Sequence, residues 1–203
     1  MKHACALIVL CFAALACASN SSELNPTPDR AGVNEPVPGD AKGEEVTLDG
    51  LKSKLPSAWK MEKPGNKFRA YQFLVPKADG DKKDAELVIF YFGEGSGGNV
   101  EDNLKRWKSQ FQAPEGKTID DVSSVKKMKV GNVELTYLDI HGTYLYKFPP
   151  FDPNAKVQKK ADFRRLGVIF ESKNGPYFIT LTGPARTMAQ QKKGFDEWVK
   201  GFK

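Results

Sequence analysis

The chain has 203 residues, with 31 lysines and arginines against 25 aspartates and glutamates, two histidines and three cysteines. Its formal charge is +6 and its isoelectric point is near 9.1. The signs are interspersed, with no basic cluster interleaved with aromatics, which argues against a nucleic-acid groove; one histidine past residue 3 and no retained cysteine pair leave too few ligands for a metal site.

Met1-Lys-His is a short basic start, and Ala4 to Ala16 is apolar. That run is too short for a bilayer, which needs about 20 residues. Small residues follow it, so residues 1–17 read as a secretory signal peptide. Ala14-Leu-Ala16 before Cys17 fits a lipoprotein site loosely, because a small residue precedes the cysteine but the leucine three before it is missing. Ala14-x-Ala16 and Ala16-x-Ala18 would also serve ordinary signal peptidase, so soluble secretion is the alternative. Cys5 and Cys11 would leave with the signal, and Cys17 alone would remain, with no intramolecular disulfide. Acylation of Cys17 removes a lone thiol from an oxidising compartment. The expectation is a periplasmic or cell-envelope lipoprotein. Residues 18–43 carry Ser19, Ser21, Ser22, Pro26, Pro28, Pro36 and Pro38 and almost no large apolar side chain, the composition of a disordered tether.

Residues 44–203 suit one domain. Glu45 to Leu51 is a predicted strand, and Leu55-Pro-Ser-Ala-Trp59 a turn that brings Trp59 into the core. Lys67 to Val75 alternates, with Phe68, Ala70, Gln72 and Leu74 on one side and Arg69, Tyr71, Phe73 and Val75 on the other. Ala78-Asp-Gly-Asp81 then turns the chain into Leu87 to Phe92, and the two strands should form an antiparallel hairpin. The second is apolar without alternation, so both its faces should be covered.

Gly93-Glu-Gly95-Ser-Gly-Gly98 matches G-x-G-x-x-G between a strand and a helix. In dinucleotide folds such glycines let the backbone approach a pyrophosphate. Here Glu94, Glu101 and Asp102 would set negative charge beside that group, and no second βαβ unit follows. A turn whose glycines supply positive φ is the expectation, with no cofactor. Asn99 should cap the helix, with Val100, Leu104, Trp107 and Phe111 on its apolar face. Glu101–Lys105 and Asp102–Arg106 are i,i+4 pairs in the favourable order.

Val125–Val130 and Val133–His141 flank Gly131-Asn132, which pairs Val130 with Val133 and Met128 with Leu135. Lys127, Lys129 and Glu134 fall on the wet face. Arg165–Ser172 and Tyr177–Thr182 flank Asn174-Gly175, with Val168, Phe170, Ile179 and Leu181 facing one way. Gly183-Pro184 opens a last helix with proline at its first position, and Met188, Phe195, Trp198, Val199 and Phe202 form its stripe. Hairpin-joined strands with two helices indicate an α+β fold with a central antiparallel sheet.

This element order resembles the PsbP-like fold, an antiparallel sheet between helices in an α/β/α sandwich. The matching features are the strand Glu86–Phe92, the Gly93–Gly98 turn, the helix carrying Asn103 and Arg106-Trp107, and the final helix with Phe195 and Trp198. The likeness spans about Glu45 to Lys203. A Gly-Gly-x-x-x-x-Asn-x-x-Arg-Trp stretch, Gly97 to Trp107, also resembles secreted bacterial proteins of unassigned role. The founding PsbP-like members are an extrinsic subunit of photosystem II and a factor that binds a small nuclear GTPase. The resemblance implies a binding or assembly protein and supplies no catalytic residues; a photosynthetic role does not follow from it.

Two sites can be named. His141 and Asp139 share a strand face, and Ser96 is the nucleophile they would need in a hydrolase. Ser96 lacks the G-x-S-x-G elbow, so His141 is expected as a surface residue and no catalytic set is assigned. The segment from Lys147 to Asp162 is long for a connection in a compact domain. Tyr146, Phe148 and Phe151 offer aromatic anchors, and Lys156, Lys159 and Lys160 offer charge for an envelope protein or small anionic ligand. The alternative is a lid folded back on the sheet edge. The domain is expected to be monomeric.

Overall fold

A computed structural model describes residues 43–149 and 152–203, all within the unit Pro38–Lys203. The expected signal, Cys17 and the tether up to residue 42 lie outside the described residues, as does Phe151. Strands β1 (Glu45–Leu48) and β2 (Leu51–Lys54) form a separate hairpin. Strand β3 (Lys60–Glu62), β4 (Arg69–Val75) and β5 (Ala85–Tyr91) precede helix α1 (Val100–Ser109). Then come β6 (Phe111–Gln112), β7 (Ser123–Val130), β8 (Val133–Lys147), β9 (Val157–Ser172), β10 (Gly175–Pro184) and helix α2 (Ala185–Lys200). The main sheet has eight strands in the order β3-β4-β5-β10-β9-β8-β6, with β7 also on β8. Every pairing is antiparallel. The α+β expectation holds, and the segments after Trp107 contain no βαβ crossover.

Each sheet face carries its own core. Leu87, Ile89, Val168, Phe170, Ile179 and Leu181 pack with Met188, Phe195, Trp198 and the β1–β2 hairpin. On the opposite face Leu138, Ile140, Ile169 and Phe178 pack with Trp107 and Phe111. Helix α2 therefore lies on one side and α1 on the other. Strand β5 sits between β4 and β10 with both faces covered, as its unbroken apolar run requires. Trp59 is 1% exposed, in the core as expected.

Several boundaries moved. The predicted strand Glu45–Leu51 is interrupted by a turn at Asp49 (φ 49°) and Gly50 (φ 83°), positive values that Asp-Gly adopts in a two-residue hairpin. Arg69 does not share a face with Tyr71. A bulge between them turns Arg69 toward Glu86 (2.9 Å) and Gln72 (2.7 Å). The last hairpin turns at Lys173-Asn174, with Gly175 already paired to Ser172. The Val130–Val133 register stands as predicted.

Pro184 is the N-cap of α2, not its first helical residue, and it still pairs with Phe163. It offers no side-chain cap. Asp81, from the β4–β5 turn, does the capping instead. Its Oδ2 accepts from Thr187 N (2.9 Å) and Thr187 Oγ1 (2.6 Å), and Thr187 Oγ1 accepts from Ala78 N (3.0 Å). Those bonds, helped by Arg186 and Lys77, hold the Asp81 carboxyl below its ordinary range against the opposing desolvation. A depressed carboxylate adds stability above its unfolded pKa, about 3.9, and loses it as pH falls. Asp81→Asn should therefore flatten the acid limb of the stability profile between about pH 5 and about pH 2. Circular dichroism against pH reads this, and an unchanged acid limb would remove the cap from the account.

Candidate functional site

The segment expected to be a long loop is mostly strand. Beyond Leu145, whose amide donates to Gln110 O (2.8 Å), β8 and β9 pair only with each other. Tyr146 faces Gln158 and Lys147 faces Val157. The connection shrinks to residues 148–156. The bend at its base is a bulge: Gly142 pairs with Phe163 but Tyr144 pairs with Lys160, and Asp162 takes φ 53°. Sequence reading missed the ladder because lysine and glutamine dominate β9 here, with no apolar alternation to mark a strand.

The ribbon gathers most of the named residues. Lys160 Nζ lies 3.8 Å from the Tyr146 ring centroid, 5.8 Å from Tyr144 and 5.7 Å from Phe163. These are cation–π distances. Burial, with Lys83 nearby and Glu86 opposing, pulls the Lys160 ammonium below its ordinary range. Lys156 and Lys159 are exposed beside it. At the tip Phe148 is 69% exposed and Val157 52%. Phe148 does not fold back on the sheet edge, so the lid alternative fails for it.

Behind the ribbon lies Arg165, only 5% exposed. Its Nε donates to Thr182 Oγ1 (2.8 Å), and it also donates to Gln110 Oε1. Its guanidinium sits 5.0 Å from the Tyr144 ring and 5.5 Å from Phe111. No carboxylate forms an ion pair with it among the described residues. A buried cation with neutral partners is costly to fold around. Sequence reading gave Arg165 only a place in a strand; a charge on the alternation position facing α1 was the available signal.

The hydrolase constellation is not assembled. Asp139 is held bidentate by Arg164, at 2.6 and 2.7 Å. His141 is exposed and pairs across the ladder with Arg164. Ser96 leaves β5 at the opposite end of the strands, beyond the Tyr91–Tyr177 pair. About six residues of strand at ~3.4 Å each separate the two ends, so Ser96 lies roughly 20 Å or more from His141.

The helix side of the glycine bend is packed by the protein itself, with Gly97 against Phe178 and Gly98 beside Asn103. Gly93, Gly95, Gly97 and Gly98 all take positive φ, as expected. Asn99 caps α1 through Asp102 N (2.8 Å). Asn103, buried, donates to Gly97 O and Asn99 O (both 2.8 Å), and Arg106 donates to Asn103 Oδ1 (2.6 Å). The expected Asp102–Arg106 and Glu101–Lys105 pairs do not form; Asp102 takes a bond from Asn99 Nδ2 (2.8 Å) instead. Among the described residues no helix is long and apolar enough to cross a membrane, and no group of three or more candidate metal ligands converges.

The molecule is thus an antiparallel α+β sandwich that projects a cationic, aromatic ribbon. No protein-family model matches the chain, and no curated protein matches it by sequence. Among solved structures it is similar to cyanobacterial PsbP (CyanoP) from Synechocystis sp., at 13% identity and a TM-score of 0.48, over 81% of this chain and 94% of that one. It is also similar to a Pseudomonas aeruginosa protein of unknown function, PA94, at 14% identity and a TM-score of 0.41, over 78% and 94%. The PsbP-like resemblance read from the sequence reappears in the first of these. The architecture stands on the chain's own strand order.

Proposed function

We propose that this is a non-catalytic, extracytoplasmic binding or assembly protein, lipid-anchored through Cys17, whose β8–β9 ribbon docks on an acidic face of an envelope protein. The observation that carries the reading is the ribbon itself, with Phe148 exposed at its tip and exposed Lys156 and Lys159 and the ring-held Lys160 along its second strand end. An exposed aromatic anchor at the tip of a lysine-bearing ribbon suits a desolvated contact with an acidic partner. Arg165 supports it, because a charge buried without an acid adds positive potential at the ribbon base. The signal-like start and the proline-rich stretch support export and tethering.

The test uses the mature chain to capture partners from solubilised envelope. Phe148→Ser with Lys156→Glu and Lys159→Glu should weaken capture at least about tenfold, the effect of losing one interface hot spot. These positions lie at or near the exposed tip, so the variant should fold. Capture at wild-type strength would overturn the ribbon assignment. The mass of the mature N-terminus reads the anchor separately: an unmodified N-terminus would make the protein soluble and leave the ribbon assignment standing.

A further inference from the structure

On the α2 side, remote from the ribbon tip, a cleft of about 260 Å³ opens between β7–β8 and α2. Its lining includes Tyr137, Met128 and Val199 as an apolar floor, with Lys126 on β7 and Lys192 and Lys200 on α2. Lys126 pairs across the ladder with Tyr137, so it stands on the face that packs against α2.

The cleft's two carboxylates are already engaged. Tyr137 Oη donates to Asp196 Oδ1 (2.7 Å), and Lys192 Nζ donates to Asp196 Oδ2 (2.6 Å). Asp139 is taken up by Arg164 through two bonds. Burial and the neighbouring Asp196 push the Tyr137 hydroxyl well above its ordinary range, so it remains a donor. Lys126 and Lys200 have no carboxylate within ion-pair distance among the described residues. Lys127 is also in the lining, but it pairs with Thr136 and stands on the opposite sheet face, so the cleft is a half-apolar slot with two cations, Lys126 and Lys200, left over at its mouth.

Which anion fits follows from the cations. A lone carboxylate would offset only one of the two spare charges, whereas a phosphate monoester carries about −1.5 to −2 near neutral pH; the planar fork that fits either anion is an arginine's. The arginine here, Arg164, is already used by Asp139. Lysines act as point charges and suit phosphate. The volume equals that of about nine waters, room for a body of roughly ten heavy atoms.

We infer that this cleft binds a small phosphate monoester, with its apolar body on Tyr137, Met128 and Val199 and its phosphate between Lys126 and Lys200. The site is separate from the ribbon and does not depend on the ribbon's role.

The probe is phenyl phosphate, titrated into the isotopically labelled mature chain at fixed ionic strength and followed by NMR. Saturable shifts at Tyr137, Met128 and Val199 are expected. Lys126→Gln with Lys200→Gln should weaken binding at least tenfold, while Lys156→Gln with Lys159→Gln on the ribbon should leave it unchanged. Phenol, which has the ring and no charge, should bind at least tenfold more weakly. Shifts that rise linearly without saturating overturn the inference. So does equal binding by the Lys126/Lys200 variant or by phenol, or loss of binding in the ribbon variant.

Discussion

Gly97→Ala should cost about 2–5 kcal/mol of stability, combining about 1–2 kcal/mol for a side chain at positive φ with 1–3 for overpacking. Gly97 has φ 91°, and an added Cβ would stand 2.5 Å from Phe178 Cε2, 2.9 Å from Cζ and 3.1 Å from Phe92 Cδ2. Phe178 is buried in the α1-side core, and Phe92 packs against it with the rings tilted by 60° and their centroids 5.8 Å apart, so neither ring can swing clear without opening that core. Gly95 provides the control. It also takes positive φ (66°), but nothing lies within 4 Å of its absent Cβ, so Gly95→Ala should cost only the backbone share. Urea unfolding of the two variants separates strain from packing. Equal losses would show that the bend does not rest on Phe178. The comparison also bears on the glycine motif: Gly97 serves a close approach to an aromatic ring, and Asn103 holds the carbonyls of Gly97 and Asn99.

Trp107→Ala should destabilise by about 3–5 kcal/mol, the usual loss for a large buried aromatic. Trp107 is the side chain through which α1 meets the sheet, and Gly167 on β9 makes room for it: a Cβ there would fall 2.7 Å from Cζ3 and 2.8 Å from Cε3. Gly167→Ala alone should therefore overpack, by about 1–3 kcal/mol. Combined with Trp107→Ala it should cost much less, because the added methyl then enters the space the indole vacated. The coupling should exceed about 1 kcal/mol in the double-mutant cycle. Strict additivity would mean that the helix and β9 do not meet through this pair.

The parts of the fold that sequence made plain are those where one pattern dominates. The apolar run of β5, the cap at Asn99, the stripe of α2 and the Val130–Val133 register each needed only local rules. What stayed hidden depended on distant partners. Asp81 caps a helix 106 residues away, which no cap motif near Pro184 announces. Asn103 and Arg106 turn toward each other because the bend offers carbonyls, overriding the surface pairs that helix spacing favoured. The candidate site was half visible. Its aromatic and lysine content was legible, but its ladder was not, since Gln158, Lys159 and Lys160 carry no strand periodicity. The α2-side cleft was missed because Lys126 was not singled out, although a lone lysine two residues from Met128 on the same strand face was the clue.

The borders of the sheet have a consequence for how the molecule tolerates crowding. An open ladder invites another chain to continue it, and that is how fibres start. Here one border is β3, only three residues long, and the other is shared by the two-residue β6 and by β7 with Lys126, Lys127 and Lys129. The free rim of the ribbon is broken by the Asp162 bulge and carries Lys159 and Lys160. No described border is at once long, flat and uncharged, so neighbouring copies are given no template for strand-by-strand growth.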